Sequence, residues 1–465
     1  MEPWCPSAIE RAMERPMPKP LPFLCASALA LSLTACAGTI NNSTADTASN
    51  VTFTFTDSGV TAAGETDTGY EIDGTALTIT SSGTYTVSGS CEDGSIKVKK
   101  STTGVTLVLD GLTLTSENTA AITCGKSSEV TILVSNGTEN SLSDTEQNND
   151  DNYPENENAE NAVIKCEDGS LVTLCGDGEL TITANGKNGI KSGATTDEDG
   201  EASLTIRDLT LNIDAPVNDA INAEQLLNVE SGTLTIDAYS SAGDGFDSNG
   251  DLTITGDTVI VWTANTADNE PLDADGTITV SGGTVLAAGG SSGMGMNLEA
   301  AQPCVIYGST GFGGMPGSTQ SSLIAADADF TIEDADGNAV YSGTARCGAN
   351  FILFSSADVV ADSAYTLKAG NSSTEGTAQS ETVSTGMGMG MGMGGGFPGG
   401  GQKPDGEPPE SFDGQMPNGE KPELPDGEVP EMPSGERPTP PSGQGSPADG
   451  NAPAGDSTSD TTPTA

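Results

Sequence analysis

The sequence predicts an all-β protein built as a parallel β-helix (a solenoid), followed by short terminal β elements and a disordered tail. Short stretches in which apolar residues alternate with threonine recur along the chain, glycine-rich turns separate them, and no helical periodicity lies between them. Apart from two spacings widened by insertions, these stretches start about 25 residues apart, the repeat at which coils of a solenoid stack on one another. They start at Val105, Val130, Leu171, Leu204, Leu227, Leu252, Ile278 and Val305.

A second series of apolar residues runs in step with the first, which indicates that each coil contributes more than one strand. Its members are Ile122, Ile164, Ile190, Ile221, Phe246, Leu272 and Met296. Small residues lie two positions further on, among them Cys124 and Cys166, and we expect these stacked thiols to be reduced core residues rather than a bridge. The polar insertion 138–161 is expected to leave one coil as a solvated loop or to fold over the acidic residues described below.

Composition limits the chemistry. The 465 residues carry 16 basic and 67 acidic side chains, a net charge of −51, and no histidine. Such a charge repels phosphate, so we expect no nucleic-acid partner and no direct binding to anionic membranes. Without histidine there is no imidazole catalysis and no histidine-based zinc or haem site. Carboxylate and amide oxygens remain, and these are the ligands that calcium prefers.

Both ends of the chain differ from its middle. Basic residues and an apolar run precede Leu33-Thr-Ala-Cys36, which is typical of a lipoprotein signal whose Cys36 receives the lipid; a plain secretory signal is the alternative. We therefore expect a monomer on the extracellular face of the bacterial envelope, which meets the membrane only through a lipid anchor. The predicted segments are the signal peptide 1–35, a flexible tether 36–50, the β-helix 51–320, closing β elements 321–372, and a disordered acidic tail rich in Gly, Met and Pro 373–465.

Several short stretches between about residue 51 and residue 370 together resemble one known family. They begin Gly69-Tyr-Glu-Ile-Asp-Gly-Thr, Gly83-Thr-Tyr-Thr-Val-Ser-Gly-Ser, Asp93-Gly-Ser-Ile-Lys-Val, Val105-Thr-Leu-Val-Leu-Asp-Gly-Leu, Asn136-Gly-Thr-Glu-Asn, Phe351-Ile-Leu-Phe-Ser-Ser and Tyr365-Thr-Leu. In these the chain resembles the bacterial extracellular carbohydrate-binding β-helix family, which binds cellulose and acidic sugars on a polysaccharide-lyase-like fold. The resemblance implies a right-handed β-helix, bound calcium, and polysaccharide recognition without established catalysis. The usual Asp-Gly-Ile is altered in several coils, which leaves the number of metal sites open.

Polar residues three positions apart surround the second series. Stacked about 4.8 Å apart in successive coils, their carboxylates repel one another unless a cation lies between them. We therefore predict calcium, which accepts carboxylate, amide and carbonyl oxygens. The alternative is that Asp and Asn merely suit the turns of a solenoid. The candidate ligands are Asp219, Asn222, Asp244, Asp247, Glu270, Asp273, Asp275 and Asn297.

Two further groups of residues are candidates for acting on sugars. Lys165 and Lys191 continue the acidic column toward the N-terminus, and lysine beside calcium is the base of acidic-polysaccharide lyases with this fold. The alternative is that the two lysines pair with sugar carboxylates or cover surface with their stems. Trp262 aligns with Asp237 on an outward column, with Tyr239 nearby, where an exposed indole beside carboxylates suits a pyranose ring. The alternative for Trp262 is burial under a neighbouring segment.

Three functions follow from these patterns. The first is a calcium-stabilised, non-catalytic protein of the cell surface that binds cellulose or an acidic plant or host glycan. The second is a calcium-dependent lyase that cleaves uronans with a lysine base. The third is a structural stalk or adhesin whose partner is a protein, because an exposed flat strand face suits a protein as well as a sugar.

Overall fold

The structure is a computed structural model, and all regular secondary structure among the residues that it describes is β. It describes residues 49–64, 68–194, 204–239, 243–267, 269–291, 296–308, 321–380 and 382–384. The predicted signal with Cys36, most of the tether, and the tail beyond Ser384 lie outside the described residues. In the part of the chain that is described, no helix has the length and apolar character needed to span a membrane. The predicted all-β class is confirmed.

The strands are short and follow one another closely. The first half of the chain contains β1 (Ser49–Thr56), β2 (Gly59–Gly64), β3 (Tyr70–Asp73), β4 (Ala76–Ile79), β5 (Gly83–Cys91), β6 (Ser95–Val98), β7 (Val105–Ser116), β8 (Ile122–Cys124), β9 (Glu129–Val134), β10 (Glu139–Asp144), β11 (Ala162–Cys166), β12 (Leu171–Gly176), β13 (Glu179–Thr183), β14 (Asn188–Ser192), β15 (Leu204–Arg207), β16 (Thr210–Asp214) and β17 (Ile221–Ala223). The second half contains β18 (Leu227–Val229), β19 (Thr233–Ala238), β20 (Phe246–Ser248), β21 (Leu252–Ile254), β22 (Thr258–Thr263), β23 (Leu272–Ala274), β24 (Ile278–Val280), β25 (Thr284–Gly289), β26 (Asn297–Ala300), β27 (Cys304–Gly308), β28 (Asp329–Glu333), β29 (Ala339–Thr344), β30 (Phe351–Ser355), β31 (Ala364–Ala369), β32 (Ser372–Thr377) and β33 (Thr382–Ser384).

Most of these strands pair in parallel, in three series. The first series runs β5-β7-β9-β12-β15-β18-β21-β24-β26, and the second runs β7-β10-β13-β16-β19-β22-β25; both belong to one 20-stranded sheet. The third series, β4-β6-β8-β11-β14-β17-β20-β23, lies in a nine-stranded sheet. The long strand β7 serves both the first and the second series, because its two halves pair with different strands.

The register reproduces the spacing read from the sequence. Leu227 pairs with Leu252 in the first series and Ile221 pairs with Phe246 in the third, so equivalent residues stack in adjacent strands. Along each strand the apolar side chains are buried and the threonines between them are partly exposed, as in β21. Cys124 and Cys166 are opposed in β8 and β11 as buried thiols, which confirms the predicted column.

The last part of the repeat departs from the prediction. Met296 and Asn297 were expected to extend the third series, but that series ends at β23, and β26 pairs with β24 of the first series instead. Val305 was expected to continue the first series, but its strand β27 is antiparallel to β30. The strands β30 and β33 run against the direction of β25 and β26, and β27 pairs with the other described strands only through β30, so the stack ends on antiparallel strands.

The C-terminal part adds a separate antiparallel sheet of four strands in the order β29-β28-β31-β32. Its apolar side chains join a second buried cluster, distinct from the main core, which also includes Trp262 and Leu286 from the second parallel series. Strands continue through β32 and β33, beyond the boundary predicted at residue 372.

The polar insertion is anchored at both ends. Residues 139–144 form β10 rather than loop, and the buried Asp144 Oδ1 accepts hydrogen bonds from the backbone N–H of Asn185 (2.7 Å) and Gly186 (3.0 Å). The buried Asn148 donates to Asp144 Oδ2 (2.9 Å), and its own Oδ1 accepts the N–H of Glu160 (2.7 Å). The expectation of a solvated loop is therefore wrong at the ends of the insertion, although most of residues 150–158 are exposed.

Replacing Asp144 by alanine is expected to cost about 3 kcal/mol of unfolding free energy, because the buried N–H of Gly186, the N–H of Asn185 and the buried amide of Asn148 all lose their acceptor. Burial raises the pKa of Asp144 to about 6, despite hydrogen bonds that favour the ionised form. The folded protein therefore holds this proton more tightly than the unfolded chain, and the stability linked to it is lost as the pH rises toward and past 6. Urea unfolding is expected to show that the free energy of unfolding differs between wild type and Asp144→Ala by ~1 kcal/mol more at pH 5 than at pH 7.5. An equal difference at both pH values would contradict the raised pKa of Asp144.

Candidate functional site

Acidic side chains gather where three consecutive strands of the third series begin. Asp219, Asp244 and Glu270 precede β17, β20 and β23, and their backbones are linked by hydrogen bonds from Ala220 N to Asp244 O (3.0 Å) and from Gly245 N to Glu270 O (2.9 Å). Their side chains therefore stack along the direction in which the strands are added.

The outward residues of the same strands complete the cluster. Asn222 pairs with Asp247, and Asp247 pairs with Asp273, so these side chains form a second column beside the first. The predicted register is confirmed for this column.

Glycine is required between the two columns in the middle one of the three strands. A Cβ on Gly245 would lie 2.2 Å from Cγ1 of Val261, so only glycine lets the chain pass from Asp244 to the strand at Phe246.

Two groups of three carboxylates result. Within each group, one oxygen of every carboxylate lies within 4.8 Å of an oxygen of each of the other two. One group is Asp219, Asp244 and Asp247, and the other is Asp244, Glu270 and Asp273. Asp244 is common to both. We call the five carboxylates together with Asn222 the acidic centre.

Some oxygens of the acidic centre already hold the backbone in place. Asp219 Oδ1 accepts the N–H of Asp244 (3.0 Å), and Asp244 Oδ1 accepts the N–H of Glu270 (2.6 Å). The amide of Asn222 donates to Asp219 Oδ2 (3.0 Å) and to Asp247 Oδ2. The residues thus also serve the structural role that was the alternative to metal binding.

The electrostatics of the acidic centre are unfavourable for so many charges. Burial, followed by repulsion from Glu270 and Asp219, raises the pKa of Asp244 well above its usual value. Burial and the charge of Asp219 raise the pKa of Asp247 to about 6, and burial raises the pKa of Asp219. A cation placed among these groups would favour their ionised forms.

Two predicted ligands lie outside the acidic centre. Asp275 follows β23, where its backbone N–H donates to Ser248 O (2.9 Å), and its charge contributes to the raised pKa of Asp247. Asn297 belongs to β26, and its amide donates to Thr277 Oγ1 (3.0 Å). Asn297 was misplaced because the third series ends one strand earlier than its spacing predicted.

The lysines continue the outward column as predicted. Lys165 pairs with Lys191, and Lys191 pairs with Asn222 of the acidic centre. Lys191 Nζ lies 3.6 Å from Glu224 Oε1. Lys165 is half-buried, and burial followed by the charge of Lys191 lowers its pKa.

The predicted exposed indole is wrong. Trp262 aligns with Asp237 as expected, but only 2% of its surface is exposed. Its ring meets Phe330 of β28 edge to face, with centroids 6.0 Å apart. The C-terminal sheet covers this part of the second series, so the alternative of burial under another segment is the observed one.

Asp237 and Tyr239 are likewise engaged within the protein. Asp237 is 3% exposed and forms an ion pair with Arg346, and Tyr239 is half-buried beside both. Asp214, in register with Asp237, has its pKa raised to about 6 by burial and then by the charge of Asp237. Sequence reasoning missed Arg346, which lies 109 residues beyond Asp237 and outside the repeat that aligns Asp214 with Asp237.

Comparison with known proteins adds the family. The sequence profile described as "Carbohydrate-binding domain-containing protein" matches residues 73–358. A protein of that same description from Acetivibrio thermocellus is 38% identical over 118 residues, which is 24% of this chain and 38% of the relative, so the chain spans well under half of that relative's length.

A solved structure is also similar. It is described as the polysaccharide lyase-like protein from C. thermocellum, in a gadolinium derivative, and the match covers 50% of this chain and 92% of that chain at 25% identity and a TM-score of 0.35. The family assignment rests on the profile, which covers more than half of the chain and all three parallel series. The chain belongs to the carbohydrate-binding domain-containing protein family.

Proposed function

We propose that this protein binds polysaccharide at the bacterial cell surface, is stabilised by calcium, and has no catalytic activity. Membership of the carbohydrate-binding family is the observation that carries the proposal. The polysaccharide is cellulose or an acidic plant or host glycan.

The scaffold we infer is a right-handed parallel β-helix. The chain visits the three parallel series in turn, and residues about 25 positions apart pair in each, as Leu227 with Leu252 and Leu234 with Val259. A chain that returns to the same sheet one strand further along after each circuit forms a coil. Crossovers between parallel strands of one sheet are almost always right-handed.

The acidic centre fits calcium by the chemistry of its donors. Its ligands are all oxygens, which calcium prefers, and histidine and thiolate are not needed. Asp219, Asp244 and Asp247 would hold one ion, and Asp244, Glu270 and Asp273 a second. Turning the Asn222 amide over would present its oxygen in place of the nitrogen that lies between Asp219 and Asp247. Bound calcium supplies positive charge that links three successive strands.

We also infer that the protein is tethered by lipid. Cys36 ends the predicted signal, and the polar stretch after it supplies a spacer between membrane and β-helix. Anchoring at the outer surface would leave the parallel series available to large insoluble glycans.

Co-sedimentation of the full chain with microcrystalline cellulose and with calcium-pectate gel tests the binding function. We expect depletion of the protein from the supernatant by at least one polymer. We also expect weaker depletion in chelator than in calcium, at temperatures where the calcium-free protein has begun to unfold. Circular dichroism on the same samples separates loss of binding from loss of fold. Folded protein that neither polymer depletes would contradict polysaccharide binding for these glycans and favour a protein-binding stalk.

A lyase is the second candidate, and the lowered pKa of the half-buried Lys165 is the observation that favours it. A base with a lowered pKa is better matched to proton abstraction near neutral pH. Incubation with polygalacturonate in calcium would then produce unsaturated chain ends that absorb in the ultraviolet. Absorbance that appears with wild type and disappears with Lys165→Gln would replace the non-catalytic proposal.

A further inference from the structure

A groove of about 430 Å³ crosses the outward side of the first parallel series at β9, β12, β15 and β18. Its floor consists of Thr131, Thr173, Thr205 and Asn228, each paired in register with the next. We call these four residues the threonine column. Since adjacent strands lie about 4.8 Å apart, the column offers polar groups at that step along the stacking direction.

The walls of the groove have a different character. Leu171 and Leu226 are half-exposed and line its sides, and the exposed Glu129 lies at one end. A pyranose ring has the matching combination, because its C–H groups form apolar patches and its hydroxyls project from the rim. Sugar sites commonly combine apolar surface with a few well-placed polar groups.

The hydroxyls of the threonine column are available. The side chains of Thr131, Thr173 and Thr205 form no hydrogen bond with any described residue. At another place on the sheets two outward hydroxyls satisfy each other, since Thr115 bonds Ser143 (2.8 Å). Three adjacent half-exposed hydroxyls that keep their full hydrogen-bonding capacity at the floor of a groove suit a ligand with repeated hydroxyls.

Charge selects the class of polysaccharide. The only ionised side chain that lines the groove is that of Glu129, and the chain as a whole carries −51. A uronate carboxylate would be repelled here. The lysines that would attract such a group, Lys165 and Lys191, lie on the third series in the other sheet. The groove therefore suits a neutral chain.

We propose that an extended neutral polysaccharide lies in this groove along the threonine column, with its hydroxyls bonded to Thr131, Thr173, Thr205 and Asn228. The inference rests on the proposed polysaccharide-binding function and locates it. None of the groove residues belongs to the acidic centre, so this binding requires calcium only as far as the fold does.

The test replaces the three threonines together, as Thr131→Val, Thr173→Val and Thr205→Val in the full chain. Valine keeps the β-branched shape that strands favour and removes only the hydroxyl. The matched control is Thr181→Val, Thr210→Val and Thr235→Val, at outward positions of the second series. Calorimetric titration with cellohexaose and depletion by microcrystalline cellulose measure the binding.

We expect affinity for cellohexaose to fall about tenfold to a hundredfold in the groove variant, from the loss of three neutral hydrogen bonds, and to stay unchanged in the control. If the triple variant does not fold, Thr173→Val alone replaces it. This single variant is expected to bind cellohexaose severalfold more weakly than wild type does. Unchanged affinity in a folded groove variant would overturn the location and leave the binding function intact. Polygalacturonate is titrated into wild type in the same way. If wild type binds polygalacturonate but neither cellohexaose nor cellulose, the proposal of a neutral polysaccharide is overturned. If wild type binds none of these three glycans, the proposed function itself is overturned.

Discussion

Replacing Trp262 by alanine is expected to lower the free energy of unfolding by about 3–5 kcal/mol, the usual cost of deleting a large buried aromatic side chain. Trp262 fills the second apolar cluster between the second parallel series and the C-terminal sheet, where it meets Phe330 and packs with Leu286. Urea unfolding measures the loss, with Trp262→Phe as the matched control that keeps an aromatic ring and should lose less.

The same variant separates packing from sugar binding. Because the indole is buried, Trp262→Ala is expected to keep wild-type depletion by cellulose or calcium pectate at temperatures where it remains folded. A variant of unchanged stability that no longer binds polysaccharide would restore the exposed role that the sequence suggested for Trp262.

Calcium is expected to raise the stability of chelator-treated wild type by about 3 kcal/mol for each bound ion when the free ion is at a hundred times its Kd. Asp244→Asn should remove most of this gain, because Asp244 is shared by both carboxylate groups. Asparagine keeps an oxygen that can accept the N–H of Glu270, so the backbone hydrogen bond survives. In chelator the variant should be at least as stable as wild type, since one buried, mutually repelling charge is gone.

Thermal unfolding with and without calcium measures both effects. Asp110→Asn, at an exposed position of β7, changes the net charge equally and should leave the calcium response unaltered. A full calcium response in Asp244→Asn would place the ion elsewhere or show that none binds.

Much of the acidic centre was predictable because its order is local and repetitive. The alternation of apolar residues and threonine, with the repeat of about 25 residues, is enough to align Asn222 with Asp247 and Asp273 from the sequence alone. The prediction failed at Asn297, because the repeat does not encode which series its last strand joins. The strand of Asn297, β26, pairs with β24 of the first series and with β33, which comes from much later in the chain.

The sequence by itself determined the all-β class, the pairing register of most strands, and the columns that contain the acidic and basic residues, since all of these follow from period and spacing. Only the tertiary structure decided which outward columns face solvent. Trp262 and Asp237 stand on an outward column, yet the C-terminal sheet buries the first and Arg346, 109 residues away along the chain, pairs with the second. Periodicity defines the two sides of a strand, whereas burial of the outer side depends on a distant segment that the repeat does not encode.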